Sequence, residues 1–194
     1  MQELKWALYR KPGGVVQAVI TSCQKDPSQI PNAFVYEKKF KRMLEPFKPF
    51  TRLDVIVSSP GGAVNSAFGM LKAIYDSHRP VRVLMDGYCG SSATFFVSAA
   101  DKGQCFITSG GSMYVHMPKL YGREKLSGIW KLLDAQQQLS VVNGMICMYR
   151  AKLHWPRREI RLMIKESRRF TAKEAVDVGF ADAIMERREF ESYA

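Results

Sequence analysis

The stretch DGYCGSSATFFVSAADKG, Asp86 to Gly103, sets two serines behind a glycine-flanked turn and ahead of a nearly unbroken apolar run. The segment before it, RPVRVLMDG (79–87), reads as a strand, and 91–100 as a short, almost wholly apolar helix. Ser91 then falls at the first turn of a buried helix, where unpaired N–H groups and the helix dipole favour negative charge. A serine in that place is most often only a cap. The pair gains meaning from what surrounds it.

Upstream, RLDVIVSSPGG (52–62) is a strand running into a Ser-Pro-Gly-Gly turn. Glycines there let the backbone approach a ligand closely and leave N–H groups pointing outward. The helix that follows, 63–77, places Val64, Ala67, Phe68, Leu71 and Ile74/Tyr75 on one stripe. Downstream, GQCFIT (103–108) and SMYVH (112–116) are strands, and His116 ends the second, ahead of Met117-Pro118. His78 and His154 fall in exposed-looking connections. A further strand at 14–21 and helices at 31–47, 124–153, 157–167 and within 171–182 complete the pattern; residues 1–13 receive no element. Strands alternating with helices predict a largely parallel sheet covered by helices, an α/β fold. The glycine turn, Ser91 and His116 all lie where strands end, the edge at which open α/β sheets bind ligands. Serine needs a base to become a nucleophile, and backbone N–H groups must receive the oxyanion.

At 194 residues the chain predicts one domain spanning 1–194 with a sizeable core. No apolar run reaches the length of a membrane span, and the N-terminal stretch lacks a signal-peptide core, so the expectation is a cytoplasmic protein without membrane contact. The four cysteines form no CxxC pair and, with three scattered histidines, no metal signature; reduced, mostly buried thiols are expected. The net charge of +11 comes from clusters at 37–42, 155–161, 166–170 and 186–190. Each contains acids and suits a solvated helix face rather than a nucleic-acid track, so no nucleic-acid partner is expected.

The three segments together resemble the ClpP/crotonase superfamily, on its ClpP peptidase side. IVSSPGGAVNSAFGMLKAIYD is similar to that family's first oxyanion segment and the helix after it, DGYCGSSATFFVSAADKG to its nucleophile segment, and CFITSGGSMYVHMP to its histidine strand. Gly62 to Ser91 is 29 residues and Ser91 to His116 is 25, as in the family pattern, and the likeness covers roughly 50–185. The resemblance implies repeated β-β-α units in an α/β head over 14–122, a helical handle over roughly 123–160, and a C-terminal segment, 161–194, returning to the head. It implies Ser91 as nucleophile, His116 as general base, and the backbone N–H groups of Gly62 and Ser92 as the oxyanion hole. It further implies an extended peptide or unfolded-protein substrate bound along Gly61, Ala63 and Val64 and along the segment of Lys119, Leu120 and Gly122. A homo-oligomer of one or two stacked rings follows from the family, no cofactor is called for, and an AAA+ unfoldase is a partner the family admits.

The third member of the triad departs from the pattern. The family places an Asp four residues before a [ST]-A-x-E-A motif; here the motif is TAKEA from Thr171, and Ser167 stands at the Asp position. Glu166 is the neighbouring candidate for orienting His116. Without an acid the site is a Ser-His dyad, slower by orders of magnitude. The alternative is therefore a ring subunit with weak or no catalysis and a structural or regulatory role. A crotonase-like acyl-CoA enzyme fits less well, because neither oxyanion turn carries an acid in the expected place.

Overall fold

The computed structural model describes residues 2–24, 33–118 and 129–192. Its elements are β1 (Gln2–Arg10), β2 (Val15–Gln24), α1 (Ala33–Leu44), β3 (Arg52–Ser59), α2 (Val64–Tyr75), β4 (Val81–Gly90), a 3-10 helix over Ser91–Ala99, β5 (Cys105–Ile107) and β6 (Ser112–Val115). They continue with α3 (Ile129–Leu153), α4 (Arg157–Glu166), β7 (Arg168–Thr171), α5 (Ala172–Asp177), β8 (Ala183–Ile184) and α6 (Arg187–Ser192).

The described strands form one sheet in the order β1-β2-β3-β4-β5-β8, with β6 beside β4 and β7 beside β6. β2, β3, β4, β5 and β8 run parallel, and β6 is parallel to β4. Antiparallel pairing occurs only at the margins, β1 on β2 and β7 on β6, so the mostly parallel α/β sheet expected from the sequence is present. β4 forks the sheet. Its residues Val83–Met85 pair with β5, while Tyr88–Gly90 pair with β6.

The central strands are buried on both faces, which explains their near-continuous apolar composition. Leu53, Val55, Val57, Val83 and Met85 join the main core against Ala67, Leu71 and Ile74 of α2 and Val142, Ile146 and Tyr149 of α3. The alternate residues Ile56 and Leu84 face the other way, where Phe106 and Phe190 of α6 cover them. On that second face Arg82 and Asp54, both buried, form a two-point ion pair at 2.9 and 2.5 Å. Arg82 also donates to the Phe190 carbonyl at 3.0 Å and lies over its ring, which anchors α6 to the sheet.

A row of aromatic contacts runs through the main core from Phe68 to Phe95, Tyr149, Phe180 and Phe170, with ring centroids 5.2–6.0 Å apart. It packs the Ser91–Ala99 helix between α2 and α3 and continues to β7. Among the described residues no helix is long and apolar enough to cross a membrane.

Several expectations need correction. β1 occupies residues left without an element. Tyr75 does not belong to the buried stripe of α2: it is 47% exposed and its hydroxyl hydrogen-bonds Ser98 at 2.9 Å. Arg168 and Arg169 lie on a strand, β7, rather than on a helix face. The thiols follow the expectation of mostly buried, unpaired cysteines: Cys89 and Cys105 are buried, and Cys147 is exposed on α3.

Candidate active site

Strand pairing brings the three sequence signals together. Ser59 of β3 sits beside Cys89 of β4, and Gly90 of β4 beside Tyr114 of β6. One to three residues farther along the same three neighbouring strands come Gly61-Gly62, Ser91 and His116. All three leave the sheet at its C-terminal edge, side by side.

The turn after β3 is shaped from within. Ser59 is buried, and its Oγ accepts the Gly61 N–H at 3.0 Å while bonding Ser22 Oγ at 2.7 Å. Gly61 has φ +96°, and a Cβ there would stand 2.5 Å from Gly90 O and 2.7 Å from Ser91 Cβ. The two turns thus touch backbone to backbone, and only glycine permits the contact. Gly61 and Ala63 are buried, Gly62 and Val64 half-buried.

Ser91 itself has φ +53°. Such a conformation is rare for a residue with a side chain and costs about 1–3 kcal/mol. His78, His154 and Ser167 also have positive φ, but His154 and Ser167 directly follow a helix and His78 lies in the turn that leaves α2, places where the left-handed conformation is ordinary. Ser91 instead lies between a strand and a helix, where no such role exists. The bend lifts its half-buried side chain out of the line of β4. Behind it, Thr94 Oγ1 donates to the Ser91 carbonyl at 2.6 Å. Tyr149 stands 2.6 Å from the same Oγ1; because the Thr94 proton is committed to Ser91, Tyr149 is the donor. Burial pushes the Tyr149 phenol above its ordinary pKa, so it keeps that proton. Ser92, fully buried, places its Oγ 2.9 Å from both N and O of Gly62, accepting from the first and donating to the second.

Cys89, two residues before Ser91, donates its Sγ–H to Val57 O at 3.0 Å. Burial pushes its thiol up to about 12, so at neutral pH it is protonated and no rival nucleophile.

His116 is half-buried and stacks on Tyr114, centroids 5.1 Å apart and planes at 17°. Arg169 of β7 lies 5.1 Å from the other partner in this ladder, the Tyr114 ring, and 5.8 Å from Tyr88. β6 and β7 pair as far as Val115 with Arg168, so the next position of that register sets His116 against Ser167. Ser167 is exposed and left-handed (φ +58°) at the end of α4, and Glu166 is the exposed last residue of that helix. The other nearby acid, Glu174, is committed to a capping box: it accepts from Thr171 N at 2.8 Å, which holds its carboxyl below the usual range. Lys119, Leu120 and Gly122 lie outside the described residues.

Sequence reasoning missed the Ser59 brace, the Thr94–Tyr149 tie, the Ser92 hydroxyl on Gly62 and the Tyr114–Arg169 stack. The first is the second serine of SSPGG and was readable as a turn former. The others join residues far apart in the chain and leave no local pattern.

Comparison with known proteins identifies the family. The Clp protease family model matches residues 36–188, most of the chain. The ATP-dependent Clp protease proteolytic subunit 1 of Protochlamydia amoebophila is 27% identical over 146 residues, covering 75% of this chain and 69% of that one. That of Chlamydia caviae is 27% identical over 144 residues, 73% and 74% of the two chains. Subunit 2 of Frankia casuarinae is 26% identical over 150 residues, 75% and 66%. With the sheet, the glycine turn and the serine and histidine edges in place, the chain is a divergent member of the Clp protease family.

Proposed function

We propose that this chain is a serine endopeptidase with Ser91 as nucleophile and His116 as base. The observation that carries the reading is the left-handed Ser91, held where β4 ends between the glycine turn of β3 and the histidine of β6. Ser91 Oγ attacks the scissile carbonyl carbon as its proton passes to a ring nitrogen of His116. The carbonyl π pair moves to oxygen, and the N–H groups of Gly62 and Ser92 receive that charge. Collapse of the tetrahedral intermediate breaks the C–N bond, and His116 returns the proton to the leaving amine. Water then attacks the acyl-enzyme, again through His116, and frees Ser91.

The substrate is an extended peptide or unfolded chain laid along Gly61, Ala63 and Val64, with the segment of Lys119, Leu120 and Gly122 as the opposite rail. Assembly into a ring or stacked rings, a cytoplasmic location and service to an AAA+ unfoldase are part of the same proposal; the relatives' designation as ATP-dependent proteolytic subunits supports an energy-driven partner. The exposed residues Ala135, Gln136, Gln137, Leu139 and Ser140 of α3 suit a subunit contact.

A second reading keeps the fold and the ring but little turnover. Ser167 in place of the family's Asp, directly after the last β6–β7 pair, favours it. Hydrolysis of a short N-acylated fluorogenic peptide by the purified protein separates the two: turnover lost in Ser91→Ala supports the peptidase, and absence of turnover supports the structural subunit.

A further inference from the structure

An oxyanion hole works only if its donors are aimed at the place where charge develops and are not spent elsewhere. Here one of the two donors is spent. The Gly62 N–H is bonded at 2.9 Å to the Ser92 hydroxyl, and that hydroxyl returns its own proton to the Gly62 carbonyl, also at 2.9 Å. The two bonds lock a residue of the β3 turn to the first turn of the nucleophile helix. Ser92 is fully buried, so no water competes for its oxygen, and the contact persists unless something stronger replaces it.

We infer that the Ser92 side chain is a gate on the oxyanion hole, closed in the resting protein by its hold on the Gly62 N–H. This rests on the peptidase reading above and adds a control to that same site. Ser92 then acts in two opposed ways: its backbone N–H is a donor to the oxyanion, while its hydroxyl occupies the other donor. A neutral carbonyl oxygen gains little by displacing a neutral hydroxyl, so ground-state binding leaves the gate shut. A developing oxyanion makes a charge-assisted bond roughly twice as strong and can take the N–H away. The exchange leaves the Ser92 oxygen without its donor at the moment of reaction. Gly61 makes this a local event: its backbone already sits against Gly90 O and Ser91 Cβ, so the turn has little room to shift as a whole.

Deleting the hydroxyl should therefore speed the chemical step while leaving peptide binding alone. Ser92→Ala keeps the backbone N–H and removes only the competitor. The expected result is a kcat about three- to tenfold higher with KM unchanged, the size of one neutral hydrogen bond no longer exchanged. A peptide aldehyde, whose adduct with Ser91 carries the oxyanion, should bind tighter by a similar factor, and the matching peptide amide should not. Ser92→Cys, close in size but a weak acceptor, should move both quantities in the same direction by less and serves where the alanine variant does not fold. A purely structural serine would shift stability without separating aldehyde from amide.

A serine-directed fluorophosphonate distinguishes the two ways of failing. If Ser91 is labelled but the folded Ser92 variants turn over no faster and bind the aldehyde no better, the gate is overturned and the peptidase reading stands. If neither the parent nor the variants are labelled or turn over peptide, the peptidase reading fails and the gate falls with it.

Discussion

Tyr149 on α3 donates its hydroxyl proton to Thr94, three residues past Ser91, across 2.6 Å in a fully buried contact. Thr94 passes the constraint on by donating to the Ser91 carbonyl, so a helix distant in sequence helps hold the bend at Ser91.

Tyr149→Phe should therefore be felt at both ends of that chain. It leaves the Thr94 oxygen without its donor in a buried place, at a cost of about 1–3 kcal/mol. Urea unfolding should show that loss, and kcat should fall several-fold while KM holds. Unchanged stability would mean that the tie is not made in solution.

Gly61→Ala tests the contact between the two turns. The added methyl meets backbone oxygen at 2.5 Å and Ser91 Cβ at 2.7 Å, and φ +96° is unfavourable for alanine in any case. Neither neighbour is a flexible side-chain end, so the turns must separate. Activity should drop by more than a hundredfold, with far-UV circular dichroism retained; an active variant would break the proposed geometry.

The position opposite His116 in the β6–β7 register offers a gain-of-function test. Ser167 is left-handed, a conformation aspartate tolerates well, so Ser167→Asp fits without strain. An acid there can accept the imidazole N–H and stabilise the imidazolium formed when Ser91 attacks. The variant should raise kcat at least tenfold, and Ser167→Ala should do almost nothing. Glu166→Gln reports on the alternative: a loss of orders of magnitude in acylation rate assigns the orienting role to Glu166 instead.

Acid sensitivity should trace to a charged cluster at the C-terminal end of α2. Asp76, after α2, pairs with Lys41 at 2.5 Å and Lys72 at 2.7 Å, and their hydrogen bonds hold its carboxyl down at about 2, against an ordinary 3.8. A depressed carboxylate contributes stability that is complete above its unfolded-state value and lost as pH falls through the folded one. Asp76→Asn should thus be less stable than the parent near neutral pH, with the gap closing from about pH 4 towards 2. Both lysines are more than a third exposed, so added salt should shrink the gap as well. A pH-independent gap in urea titrations would contradict the assignment.

The parts of this fold that were legible in the sequence are those whose signals are local. β3, α2 and β4 announce themselves by an apolar run, a helical stripe and another apolar run, each closed by a turn former. What the sequence hid depends on contacts at a distance. β1 has inward Leu4, Trp6 and Leu8 at period two, but interleaved charged and exposed residues diluted the signal. The charged cluster at 186–190 reads as a helix face, but where α6 docks depends on a single buried ring, Phe190, and on a bond from Arg82, 108 residues away. Arg168-Arg169 read as a helix end because their strand is only four residues long and exists by pairing with β6. At the candidate site, motif spacing singled out Ser91 and His116, whereas the bond held by the Gly62 N–H depends on where the buried Ser92 hydroxyl points.

The most direct test of the account is to treat the folded protein with a fluorophosphonate probe and map the adduct by peptide mass spectrometry. The account predicts a single adduct on Ser91, slowed strongly by His116→Ala and absent from Ser91→Ala. An adduct on another serine, or none on protein shown to be folded, would contradict it.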